Sequence, residues 1–73
     1  MILQQLLKIL PAASDFKVMD EYKPVLEGYI SRYDKSIAIK GDVSNFLLYN
    51  NVYQTFHVEL VDKVDDIWII NVR

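Results

Sequence analysis

Four apolar residues in unbroken succession, Ile67, Trp68, Ile69 and Ile70, constrain this chain more than any other feature. A strand projects alternate side chains to opposite faces, so such a run asks for cover on both. Few elements are at hand to supply it. Seventy-three residues suffice for one domain with one core and a stability of about 3–5 kcal/mol. The absence of cysteine excludes disulfides and thiolate metal sites, the usual staples of small secreted domains. Cover must come from packing, and 52% hydrophobic with 25% charged residues is the balance of a globular domain.

The remaining pattern predicts an α+β fold. Leu3, Leu6, Leu7 and Leu10 recur at helical spacing, which places a helix over residues 2–10 that Pro11 ends. Residues 16–20 read as a strand, with Phe16 and Val18 on one face and Lys17 and Met19 on the other. Residues 21–24 read as its turn and 25–33 as the returning strand, where Gly28 marks a bulge or a close backbone approach. Residues 34–40 fit either strand or loop. After Gly41, Asp42 or Ser44 can cap a short second helix. Val43, Phe46 and Leu47 share one of its faces, and Asn50 or Asn51 can close it. Residues 54–63 alternate with Phe56, Val58 and Leu60 on one side, 64–66 form a turn, and 67–72 are the last strand.

The expected order is therefore helix, hairpin, helix, hairpin. It gives a small antiparallel sheet of about four strands with the N-terminal helix on one face, all within a single domain over residues 1–73. The expected core is Leu3, Leu6, Leu7, Leu10, Phe16, Val18, Phe46, Leu47, Phe56, Val58, Leu60, Trp68, Ile70 and Val72. If Trp68 is buried, Trp68→Ala costs about 3–5 kcal/mol, roughly the whole stability. One helix covers one face of the last strand. The second face falls to the short helix, to residues 37–39, or to another copy of the chain.

The segments GDVSNFLL (residues 41–48), Tyr53, the ending DIWIINVR, the opening LLKILP and the stretch FKVMDEYKPVLEGYIS carry a resemblance. Together they resemble a group of small uncharacterised proteins of Gram-positive gut bacteria and their phages or other mobile elements. The resemblance implies the same helix, hairpin, helix, hairpin plan and a mobile-element origin. It implies no activity and transfers no functional residue.

Chemistry-bearing residues are sparse. The formal charge is −2, with no basic patch of the kind that binds duplex nucleic acid. His57 stands alone, on the expected solvent side of its strand. Asp62, Asp65 and Asp66 surround the last turn without the glycine and ligand count of a calcium loop. Asp20 and Glu21 are adjacent and so diverge. Ser14, Ser31, Ser36 and Ser44 lack nucleophile context. No enzyme, cofactor or metal site is expected. No apolar stretch reaches the ~20 residues of a membrane span, and with no leader pattern at the start a cytoplasmic location is expected.

The tyrosines are the most informative polar-apolar set. Tyr22, Tyr29, Tyr33, Tyr49 and Tyr53, with Ile67 and Ile69 from the apolar run, form the candidate interaction surface. The leading expectation is a non-enzymatic protein-binding module, such as an accessory or inhibitor protein of a phage or mobile element. The alternative is a single-stranded nucleic-acid binder using these aromatics with Lys17, Lys23, Arg32 and Lys35. A homodimer is compatible with either.

Overall fold

Each element begins and ends where its local chemistry requires. In the computed structural model, which describes residues 1–73, helix α1 is Leu3–Ile9, and the extended Leu10 before Pro11 terminates it. The Gln5 side chain reaches back to accept the Ile2 N–H at 3.0 Å, satisfying one free donor of the first turn. Strand β1 is Asp15–Asp20 and β2 is Lys23–Ile30. Their turn is shorter than the sequence suggested. Only Glu21 and Tyr22 lie between the strands, both with left-handed φ of 50° and 65°, the geometry that matches strand twist in a two-residue hairpin. Residues 31–36 leave the sheet, so β2 ends before Tyr33. Residues 37–39 resolve as a strand, β3 (Ile37–Ile39), on the far side of β2.

Helix α2 (Val43–Asn51) is capped by Asp42, whose carboxylate accepts the Ser44 and Asn45 N–H groups. The cap is therefore Asp42, with the Ser44 hydroxyl donating to the same carboxylate. These bonds hold the Asp42 carboxyl below the usual range, the Ser44 hydroxyl first among them. A 3-10 turn (Tyr53–Thr55) follows where the sequence suggested strand, then β4 (Val58–Val64) and β5 (Ile67–Val72). Asp65 and Asp66, at φ 52° and 65°, make a second two-residue turn.

The sheet has five strands in the order β3-β2-β1-β5-β4 and is mixed, not purely antiparallel. The two hairpins join through β1 and β5, which run parallel from Asp15–Ile67 to Asp20–Val72. This pairing puts the apolar C-terminal run beside the sheet's central strand. Leu3, Leu6 and Leu7 from α1 and Leu10 just after it pack with Phe16, Val18, Leu26, Ile30, Ile70 and Val72, and Tyr49 and Tyr53 complete the same cluster. Both helices thus lie on one face of the sheet. Gly28 is a close approach: a Cβ there would overlap the Ala38 carbonyl oxygen and come within 2.6 Å of Phe16 Cζ.

Eight expected core residues hold their place, and the others shift. Phe46 and Leu47 remain 47% and 46% exposed, because the inward stripe of α2 runs through Asn45 and Tyr49. Leu60 is 54% exposed. A bulge between Val58 and Leu60 inserts one residue, and one residue reverses the alternation that follows. Val61, not Leu60, therefore stands beside Ile70. Phe56, Val58 and Trp68 are half-buried at the core's margin. Trp68 shares its ring with the Lys63 ammonium 4.9 Å from the centroid, so Trp68→Ala removes less buried area than the sequence suggested.

Candidate functional site

The register across the sheet fixes what its second face displays. Opposed residues in paired strands point to the same side. Tyr29, Asp15, Ile67 and Val64 therefore form one row, from β2 through β1 and β5 to β4. Glu27, Lys17, Ile69 and Asp62 form the next, with Lys17 Nζ 3.6 Å from Glu27 Oε1. Met19, Asn71 and Leu60 form the third. No helix packs on these rows. Ile67, Ile69 and Met19 are half-buried by their neighbours alone, while Tyr29, Leu60 and Val64 are exposed.

Beside the first row, Ala13, Asp15, Tyr29, Arg32 and Tyr33 line a groove of about 300 Å³. Tyr33 is 91% exposed at its rim. A groove of about 350 Å³ lies elsewhere, between Pro24–Glu27 and the start of α2. Its lining mixes Val25 and Leu26 with Glu27, Lys40 and Asn45 and includes none of the aromatic residues, so it adds nothing to the apolar face.

Of the residues singled out in the sequence, Tyr29, Tyr33, Ile67 and Ile69 come together here. Tyr22 does not: it sits in the β1–β2 turn, about 23 Å along the strands from Tyr29 at 3.3 Å per residue. Tyr49 and Tyr53 are not surface residues at all. They fill the core between α2 and the sheet, Tyr53 with its ring edge-on to Phe56 at 4.7 Å. Lys17, Lys23, Arg32 and Lys35 do not converge. Lys17 is paired to Glu27, Lys23 flanks the Tyr22 turn, and Arg32 and Lys35 lie in the loop beyond β2. His57 is exposed, its backbone paired to Arg73. No three His, Cys, Asp or Glu side chains gather in one place. Asn71 was missed: it is buried on the open face with an amide oxygen that has no partner.

The two buried tyrosines differ in a testable way. Tyr53 Oη donates to Asp20 Oδ2 at 2.9 Å, whereas Tyr49 Oη is buried without a protein partner. Burial pushes both hydroxyls above the ordinary tyrosine range, and the Asp20 carboxylate raises Tyr53 further. Removing an unsatisfied buried hydroxyl helps, and removing a bonded one hurts. Tyr49→Phe is expected to raise stability by about 1 kcal/mol and Tyr53→Phe to lower it by about as much in chemical denaturation. With folded pKa values raised, the tyrosine contribution is intact below pH ~10 and is lost as pH climbs through the folded values. The alkaline unfolding midpoint should accordingly move up in Tyr49→Phe.

Among known proteins, no family model, no curated protein and no solved structure matches this chain. No helix is long and apolar enough to cross a membrane.

Proposed function

We propose that the chain is a non-enzymatic protein-binding module that docks its partner on the open sheet face. One observation carries this reading. Tyr29, Ile67, Ile69, Val64, Leu60 and Met19 share a face that no other element of the chain covers. Aromatic and aliphatic groups concentrated on one face, with polar groups among them, are the composition of a protein interface. The charges interleaved with them, Asp15 and Lys17 on the central strand and Glu27 and Asp62 to either side, favour protein over nucleic acid. Asp15, Glu27 and Asp62 outnumber Lys17 on this face, and such a surface repels phosphates. The resemblance to proteins of phages and mobile elements fits an accessory or inhibitor that acts by occupying a surface of a host protein.

Capture from a lysate of the source cells tests the reading with two variants. The wild type should retain a stoichiometric partner, Ile69→Lys should retain at least about tenfold less, since a charge placed in a desolvated contact is costly, and Val43→Ser on α2 should match the wild type. Equal retention by Ile69→Lys, or loss in Val43→Ser instead, contradicts it.

A further inference from the structure

The groove beside Tyr29 holds two charged side chains that the fold does not use. Its framework is braced by main chain: the Ala13 N–H donates to the Ile30 carbonyl at 2.9 Å, and the Ile30 N–H to the Ser14 carbonyl at 2.8 Å. The loop after β2 is held by its own bonds. Ser31 Oγ accepts the Tyr33 N–H at 3.2 Å, the Ser31 carbonyl accepts the Lys35 N–H at 3.1 Å, and Asp34 Oδ1 accepts the Ser36 N–H at 3.0 Å. Asp15 and Arg32 take no part in this bracing. The chain's two ion pairs, Lys17–Glu27 and Glu59–Arg73, use neither of them. Both line one groove of about 300 Å³ together with Tyr29 and Tyr33, a volume at the lower end of the ~300–1,000 Å³ typical of small-molecule sites. The two tyrosines are 44% and 91% exposed. They are not stacked on each other, since the one ring pair in the chain is Tyr53 with Phe56.

We propose that this groove binds a free aromatic α-amino acid, its ammonium donating to Asp15, its carboxylate accepting from Arg32 and its ring lying against Tyr29 and Tyr33. Charge selects the class of ligand. One carboxylate and one guanidinium, both unpaired, complement a molecule that carries one charge of each sign. A phosphate ester would leave Asp15 unanswered, and the chain's net charge of −2 repels it. A simple amine would leave Arg32 unanswered. A residue inside a peptide has neither backbone charge, and a terminal residue has one, so the free amino acid is the smallest ligand that answers both. The lining selects the side chain. Two tyrosines favour an aromatic ring, in offset or edge-on contact. Exposed ion pairs are weak, so the dissociation constant is on the order of 1 mM. This site goes beyond the docking reading, because its ligand requires no partner protein.

Titration of the isotope-labelled chain with L-phenylalanine, followed by nuclear magnetic resonance, tests the site. Saturable shifts centred on residues 13–15 and 29–33 are expected. L-Phenylalaninamide lacks the carboxylate and N-acetyl-L-phenylalanine lacks the ammonium; each should bind about fivefold more weakly. L-Alanine, with both charges and no ring, should also be weaker. Asp15→Asn should weaken phenylalanine binding and no longer distinguish it from the N-acetyl form. Arg32→Gln should weaken it and no longer distinguish it from the amide. Ile69→Lys, outside the groove, should bind as the wild type does, so a chain that captures no protein still binds the amino acid. Shifts that fail to saturate by about 20 mM overturn the proposal, as does equal binding of phenylalanine, its two derivatives and alanine.

Discussion

Phe16→Ala is expected to leave the chain unfolded at 25 °C. Phe16 is 2% exposed on the central strand β1, flanked by Trp68 on β5, with its ring over Gly28 on β2. Removing a buried phenylalanine costs about 3–5 kcal/mol in lost burial and residual cavity. The site cannot collapse around the loss. Gly28 brings no side chain, and its backbone is pinned by pairing to β1 and to β3. A domain of this size holds about 3–5 kcal/mol in total, so one substitution removes nearly all of it. Far-ultraviolet circular dichroism should show a disordered chain. A cooperative transition near the wild-type midpoint would mean that Phe16 does not hold the two hairpins together.

How far the sequence announced this arrangement depended on the range of the interaction. Helix α1 was legible because four leucines repeat locally and Pro11 marks the stop. Phe16, Val18, Ile70 and Val72 were legible because period-two alternation needs no partner to be seen. The parallel pairing of β1 with β5 was not, since it joins residues about fifty positions apart and neither strand encodes its neighbour. Leu60 departs from the expected face for a local reason: the bulge near Glu59 leaves no mark in an alternating sequence, yet shifts every later side chain to the other face. The Glu21–Tyr22 turn is shorter than the pattern predicts, because neither residue is the glycine or asparagine that usually announces left-handed backbone. For the candidate surface, Tyr29, Ile67 and Ile69 were readable as apolar positions without a visible mate. Tyr49 and Tyr53 misled because a tyrosine at a surface and one in a core look alike in sequence.

The apolar run that opens the problem also contains its sharpest test. Ile69 and Ile70 are adjacent and identical in chemistry, yet they stand on opposite faces of β5. Ile70 is fully buried beneath the helices, beside Val18 and Val61. Ile69 lies half-buried between Lys17 and Asp62, on the face with no helix. A lysine at 69 can lay its methylene stem along the sheet and keep its ammonium in water near Asp62. A lysine at 70 has no route to water and no carboxylate across from it, so its charge must be desolvated without a partner. Urea unfolding of Ile69→Lys and Ile70→Lys, measured side by side, therefore tests directly whether the sheet is clad on one face only. Ile69→Lys should keep a cooperative transition within about 1–2 kcal/mol of the wild type, while Ile70→Lys should show no folded baseline. Equal loss in both variants would contradict the open face and the docking surface built on it.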